Sequence, residues 1–361
     1  MRSSTFSSED DAAAYNCGIR VLLLSLIAVC LLFELGARFG LPRVSRIQER
    51  VSSERLDLLA SRPDGHGGTK TVAVLGNSLL LWSIDFSLLN RLGAGNFRYS
   101  RFVIESTQYW DWYFGLRRLL AEGARPDVVA LLIGANHWLE DSIEGEYFAY
   151  ELLRPSDVVL LRTELNLDRT TASKYFFASW SSWLGSRAIV RKNLLRLIFP
   201  DIERFTRKLI GPPTYPNAEI AYDKAVRRMR GLKSVSEENG VKLVVILHPT
   251  LDSQAPFDPV LAAADVAGVP VIAPVHLEYT SDLYSDGYHL NTAGMEKFTR
   301  DLIAPLEQSL HGMKPILAGR SEPDNFELGQ NLSSTSVLAG SPRPEENSEQ
   351  SSFRQRSRPG L

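Results

Sequence analysis

Two short apolar runs, each closed by a glycine and followed at once by polar residues, constrain this chain more than any other feature. Thr71-Val72-Ala73-Val74-Leu75 ends in Gly76, and Val128-Val129-Ala130-Leu131-Leu132-Ile133 ends in Gly134. Short, β-branched runs without polar alternation are strands covered on both faces, the habit of parallel sheets. Further strands are expected near Tyr99–Ile104, over 241–247 and, briefly, over 269–273. Helical periodicity fills the gaps. Thr107 is placed to cap a helix showing Tyr109, Trp112, Leu116, Leu119 and Leu120 on one face. A second carries Tyr222, Ala225, Val226, Met229 and Leu232, and a third follows Asn291 with Met295, Phe298, Leu302 and Leu306. Strand and helix in alternation predict an α/β fold, a parallel sheet between two helical layers.

The flanks differ in composition. Residues 1–17 are polar, and Val21–Phe33 is then apolar without a charge between Arg20 and Glu34. Alone this run is short of the roughly 20 residues that cross a bilayer, but Leu35, Gly36, Ala37, Phe39 and Leu41 extend it. An anchor, a cleaved signal and a buried core helix compete here. The absence of a small-x-small cleavage site directly after the run favours a transmembrane signal anchor over 18–41. Residues 42–70, rich in Arg, Ser and Gly and including His66, read as a stalk. The main domain is expected over 71–317, with a mostly helical insertion at about 138–218 that holds aromatic clusters and the break Gly211-Pro212-Pro213. Residues 318–361 have the composition of a disordered tail. A net charge of −2 gives no field for nucleic acid. Cys17 and Cys30 are the only cysteines, so the main domain has no disulfide, no thiol nucleophile and no Cys-based metal site.

Ligands of open parallel sheets bind beyond the carboxyl ends of the strands, and three such places are chemically loaded. Gly76-Asn77-Ser78-Leu79 turns sharply from strand into helix. That places Ser78 at a helix N-terminus, where free N–H groups and the dipole favour negative charge; the plainer reading is an Asn77 or Ser78 cap. In Gly134-Ala135-Asn136-His137 the Asn136 amide can donate to an oxyanion, although such a segment is also an ordinary turn. In Ser285-Asp286-Gly287-Tyr288-His289 an acid three residues before a histidine can orient the imidazole, so that its other nitrogen takes a serine proton. His137 and His248, which end or follow strands, are further candidates for substrate contact, with Asn77. Trp110-Asp111-Trp112 offers either a sugar platform or helix packing.

Taken together and in this order, the three segments resemble the SGNH hydrolases, the GDSL-like lipases and esterases. The first block of that family is matched by Gly76-Asn77-Ser78-Leu79, with Asn for Asp. Its third is matched by Gly134-Ala135-Asn136, with His137 for Asp, and its fifth by Asp286-Gly287-Tyr288-His289. The glycine of the second block is missing from Arg101–Thr107, where a backbone N–H near Glu105 to Thr107 would have to serve. The resemblance implies a three-layer α/β/α, flavodoxin-like parallel sheet carrying a helical insertion behind one transmembrane helix. It also implies Ser78 as nucleophile, His289 as general base, Asp286 as its orienting acid, and the Ser78 N–H with the Asn136 amide as oxyanion hole. No metal or organic cofactor is implied.

Membrane-tethered members of that superfamily act on acyl groups of cell-envelope or secreted polysaccharides. The expected activity is therefore acyl ester hydrolysis or O-acyl transfer through an acyl-serine. The substrate would be an acylated carbohydrate or small ester, and a transferase would need a multispanning acyl-donor partner. The family topology puts the catalytic domain outside the cytoplasm, whereas Arg38, Arg43, Arg46 and Arg50 after the apolar run argue for the inside. A non-catalytic polysaccharide-binding or assembly protein of the same fold is the alternative, favoured by the missing glycine.

Overall fold

The computed structural model of the chain describes residues 8–61, 69–93, 97–199, 214–274 and 278–311. Residues 1–7, His66, the Gly211–Pro213 break and the 318–361 tail lie outside the described residues. All described residues belong to one unit, Met1–Gly319.

Five parallel strands form one sheet in the order β2-β1-β3-β4-β5: β1 Lys70–Gly76, β2 Phe97–Val103, β3 Val128–Ile133, β4 Lys242–Leu247 and β5 Val271–Ile272. This is the flavodoxin-like order, whose switch point lies between β1 and β3. The register pairs Leu75 with Phe102 on one side and with Leu131 on the other. The expected strands are present, and the last is trimmed to two residues.

Successive side chains leave a strand on opposite faces, and here both faces are buried. Ala73, Leu75, Val129, Leu131, Ile133, Val245 and Leu247 enter one apolar layer, and Val72, Val74, Val128, Ala130, Leu132, Val244 and Ile246 enter the other. Over the first layer lie α2 (Arg46–Ala60), α5 (Tyr109–Ala121), α10 (Ala218–Glu237) and α11 (Phe257–Ala267); over the second lie α3 (Ser78–Ser83), α4 (Phe86–Leu92) and α12 (Thr292–Leu310). Between β3 and α10 stand α6 (Glu146–Leu152), α7 (Val158–Glu164), α8 (Arg169–Trp180) and α9 (Ser182–Ile198), whose Phe148, Leu152, Leu161 and Tyr175 join the first layer. The cap of α5 is Gln108 and not Thr107. Asp111 accepts from the Gln108 N–H, while the Thr107 hydroxyl turns back to the Ile104 carbonyl.

Residues 46–60, expected within a stalk, fold against the sheet as α2. Val51 and Leu58, seven apart on one helix face, are buried. Glu54 accepts the backbone N–H of Val103 at 2.9 Å and the Arg101 side chain at 2.6 Å, while Arg50 donates to the Val103 carbonyl at 3.0 Å. An edge strand leaves backbone groups without ladder partners, and α2 satisfies them at the end of β2. The charges that made this stretch look solvated are the groups that bind it to the domain.

At the other end, α1 (Ser8–Leu35) runs through a π turn, Gly36–Gly40, into one further α turn, Leu41–Val44. Tyr15–Val44 is long and apolar enough to cross a membrane, and its most apolar window is unburied.

Candidate active site

The switch point between β1 and β3 gathers the three loaded segments. Gly76 closes β1 where a Cβ would run into the Leu132 carbonyl oxygen of β3 and lie 3.0 Å from Leu80 Cβ. The glycine is therefore set by close approach. Asn77 caps α3: its side-chain oxygen accepts the Leu79 N–H at 3.0 Å, and its amide donates to the Thr107 carbonyl at 2.9 Å. Ser78 follows as the first residue of α3, half-buried, its N–H among those without an intrahelical acceptor.

A closed loop before α12 carries Asp286 and His289. Tyr284 and Leu290 bridge its ends, and the Ser285 N–H donates to the His289 carbonyl at 2.8 Å. Inside it, Asp286 Oδ1 accepts the N–H groups of Tyr288 at 3.0 Å and His289 at 2.7 Å, with Gly287 at φ +80° making the turn. The other carboxylate oxygen lies 2.9 Å from His289 Nδ1, and His289 Nε2 lies 3.1 Å from Ser78 Oγ. An ionised carboxylate only accepts, so Nδ1 carries the ring proton and Nε2 presents its lone pair to the serine hydroxyl. Desolvation raises the Asp286 pKa, but the hydrogen bonds from the His289 backbone and ring and from the Tyr288 N–H outweigh it and hold the group at about 2. Asp286 is thus a carboxylate throughout the neutral range.

The third segment folds as a 3-10 turn over Asn136–Trp138. A Cβ at Gly134 would lie 2.8 Å from the Asn136 side-chain oxygen and 3.1 Å from His137 Nδ1, so glycine makes room for both side chains. His137 Nδ1 accepts the Gly134 N–H at 3.2 Å, and His137 Nε2 lies 2.8 Å from the Tyr288 hydroxyl. A backbone N–H can only donate, so the neutral ring carries its proton on Nε2 and gives it to Tyr288. Desolvation of the ring keeps it neutral, its pKa lowered to about 4. The Tyr288 phenol, raised to about 12 by desolvation, also bonds the Asn136 amide, which works in the opposite direction. Tyr288 therefore ties the Asp286–His289 loop to the Asn136 turn.

Ser78, Asp286 and His289 form one hydrogen-bonded chain, and Asn136 belongs to the turn tied to it. Two other candidates lie beside this chain but are buried. Asn77 is 1% exposed and its polar atoms are spent on the α3 cap and on Thr107; it shapes the turn and offers no surface to a substrate. His248, 3% exposed, packs beside Phe298, and burial lowers its pKa to about 3. His137 is engaged with Gly134 and Tyr288. Of the tryptophan pair, Trp112 is core, while Trp110 lines a separate cavity of about 420 Å³ with Tyr113, Lys224 and Arg228.

Three residues of the site were not foreseen. Trp82, 53% exposed, has its ring 6.2 Å from that of His289; its position four after Ser78 on a helix was the available signal. Tyr288 lay within the recognised acid–histidine motif. Ser106 adopts φ +63°, the left-handed conformation that glycine takes freely. It does so in the stretch where the missing glycine was expected, and a serine carries no mark of that conformation. The turn is held by Thr107 bonding to Ile104 at 2.6 Å and by the Asn77 amide.

No protein-family model matches the chain, and no curated protein does. Solved structures similar to it include a GDSL-like lipase from Bacteroides thetaiotaomicron VPI-5482, at 12% identity and a TM-score of 0.38 over 73% of this chain and 97% of that one. TesA is similar at 13% identity and 0.35 over 64% and 96%, and a catalytic mutant of Axe2, an acetylxylan esterase from Geobacillus stearothermophilus, at 11% and 0.35 over 66% and 94%. Likenesses this distant leave the chemistry to be read from the geometry of the site itself.

Proposed function

We propose that this chain is a serine-dependent acyl ester hydrolase or O-acyltransferase of the SGNH type, working through an acyl-serine intermediate. The observation that carries the reading is the chain of contacts from Asp286 Oδ2 to His289 Nδ1, at 2.9 Å, and from His289 Nε2 to Ser78 Oγ, at 3.1 Å. A serine hydroxyl is a weak nucleophile until a placed base takes its proton. In the proposed reaction Ser78 Oγ attacks the ester carbonyl carbon as His289 Nε2 takes the hydroxyl proton, and Asp286 steadies the imidazolium. The carbonyl oxygen gains the negative charge and accepts hydrogen bonds from the Ser78 N–H and one N–H of the Asn136 amide; the second amide N–H remains for Tyr288. The 104–107 turn, with its glycine-like backbone at Ser106, is the candidate for a further donor. Collapse expels the alcohol, which takes the proton from His289. Water or a sugar hydroxyl then attacks the acyl carbon with His289 again as base, the acyl–Oγ bond breaks, and Ser78 Oγ takes the proton back from His289.

The substrate we infer is an acylated cell-envelope or secreted polysaccharide, with α1 as a single-pass anchor and the catalytic domain on the extracytoplasmic side. Transfer would require a multispanning partner to deliver the acyl group, and hydrolysis would not. The apolar length of α1 and its unburied surface support the anchor.

The test uses the full chain in nanodiscs with a short-chain nitrophenyl ester, beside Ser78→Ala. Turnover that disappears in the variant, with wild-type Ser78 labelled by a serine-directed phosphonate, is the expected result. A well-folded wild type that neither turns over ester nor takes the label would sink the proposal and leave the non-catalytic polysaccharide-binding reading. Product partition between free acid and acylated saccharide, with an oligosaccharide present, separates hydrolase from transferase.

A further inference from the structure

Glu34 is the first charge after the apolar run Val21–Phe33, and it does not face lipid or water alone. Its Oε2 accepts the Ser181 hydroxyl at 2.6 Å and the Trp183 N–H at 3.2 Å, and its Oε1 accepts the Ser182 N–H at 2.7 Å. These donors are the cap and first turn of α9, a 17-residue helix whose positive end suits a carboxylate. Phe33 stacks on Trp183 with ring centroids 4.7 Å apart, and Ala37, one turn further on, is buried. The end of the apolar helix is thus fastened to the corner where α8 turns into α9.

The fastening sets a depth. About 20 residues cross the hydrocarbon, so a span starting at Arg20 ends near Phe39. Glu34 then lies about 8 Å short of the boundary, at 1.5 Å per residue. A carboxylate there is costly unless it is satisfied, and the α8–α9 corner that satisfies it is held at the same level. The last turns of α8 are unlike an ordinary wet surface. Trp180, which directly precedes the Glu34-binding serines, is 73% exposed and Phe177 is 57% exposed, with Phe176 stacked on Trp180. Contiguous exposed aromatics mark an interaction surface, and tryptophan favours the boundary between headgroups and acyl chains.

We propose that Phe176, Phe177 and Trp180 are embedded in the headgroup–acyl boundary of the bilayer that α1 crosses. The domain is then held at the membrane by two contacts, the anchor and an aromatic foot. The occupant of this face is lipid, argued from its continuity with α1 through Glu34 and the Phe33–Trp183 stack. The inference rests on α1 crossing a bilayer and is independent of the acyl chemistry.

The experiment uses full-length protein in phosphatidylcholine–phosphatidylglycerol nanodiscs, with Cys17→Ser and Cys30→Ser as background. A nitroxide is attached at Phe177→Cys or Trp180→Cys, at Leu24→Cys within α1, and at Val266→Cys on the exposed face of α11. Collision with dissolved oxygen, which concentrates in lipid, is compared with collision with a water-soluble nickel chelate. The expected result is an oxygen-to-nickel ratio severalfold higher at 177 and 180 than at 266, approaching that at 24. A high ratio at 24 with an aqueous ratio at 177 and 180 overturns the foot while leaving the anchor. Immobilised labels at 177 and 180 that neither quencher reaches overturn it in favour of a protein partner. An aqueous ratio at 24 overturns the anchor and the foot together.

Discussion

Replacing Asp286 by Asn isolates the acid's contribution without dismantling its loop. Asn keeps an oxygen in place of Asp286 Oδ1, so the N–H groups of Tyr288 and His289, at 3.0 and 2.7 Å, retain their acceptor and the turn persists. What changes is the atom facing His289 Nδ1, where an amide NH₂ replaces a carboxylate oxygen at 2.9 Å. The ring is pushed towards the tautomer with its proton on Nε2, which cannot accept from Ser78. The imidazolium formed during attack also loses its counter-charge. A hydrogen bond to a charged group contributes about 1.5–3 kcal/mol. The Asp286 side chain is 40% exposed, so solvent screens the ionic part and water can partly replace it. A loss of about 1–2 kcal/mol in the transition state lowers kcat by about 5–30-fold, well short of the ~10⁴-fold tied to a buried triad aspartate. The assay is kcat for a nitrophenyl ester by full-length wild type and variant, with circular dichroism as the folding control. A loss below about threefold would mean that the acid contact is not used in the reaction. A loss near 10⁴-fold would refute the screening argument. The pKa of about 2 adds a sign. The folded value lies below the unfolded one, so the stabilisation from ionised Asp286 is complete above about pH 4 and is lost as pH falls towards 2. Asp286 therefore adds no limb to the rate profile in the neutral range.

Tyr288→Phe removes the acceptor for His137 Nε2–H and for the Asn136 amide; kcat should fall by about tenfold, about the worth of the one hydrogen bond that positions the Asn136 donor, with KM nearly unchanged, as steady-state kinetics would show. Gly76→Ala places a Cβ against the Leu132 carbonyl oxygen and Leu80 Cβ, and overpacking of this kind costs about 1–3 kcal/mol, measurable as a lower urea midpoint at unchanged m. Asp111 has a carboxyl raised to about 8, mainly by burial, against the hydrogen bonds it accepts from the Glu144 and Gln108 N–H groups. Between about pH 4 and 8 the folded state keeps a proton that the unfolded chain has released, so stability is lost as pH rises through that window. Melting temperatures recorded across it should fall more steeply for wild type than for Asp111→Asn, and parallel curves would contradict this.

Much of the site was legible because its chemistry is local. The Asp286–His289 contact spans one turn, the Asn77 cap lies beside Ser78, and the glycines at 76 and 134 end apolar runs whose length and branching already specify buried strands. Residues 46–60 misled for the opposite reason: Arg50 and Glu54 fell in a stretch that read as a polar stalk, yet they pair with Arg101, Val103 and Glu105 around the end of β2, 47 to 55 positions away. Ser106 carried no signal, since its left-handed backbone is imposed by Thr107 and Asn77 and not by its own side chain.

By itself, then, the sequence determined the strand–helix alternation, the three loaded strand ends and the apolar length of α1, because hydrophobic period and local hydrogen-bonding reach follow from neighbours along the chain. Only the tertiary structure decided that Ser78 meets His289 across 211 positions, that Tyr288 links their loop to Asn136, that His248 is buried, and that Glu34 fastens α1 to the α8–α9 corner. Those pairings depend on strand order and layer packing, which bring distant segments to one sheet edge and leave no trace in either segment alone.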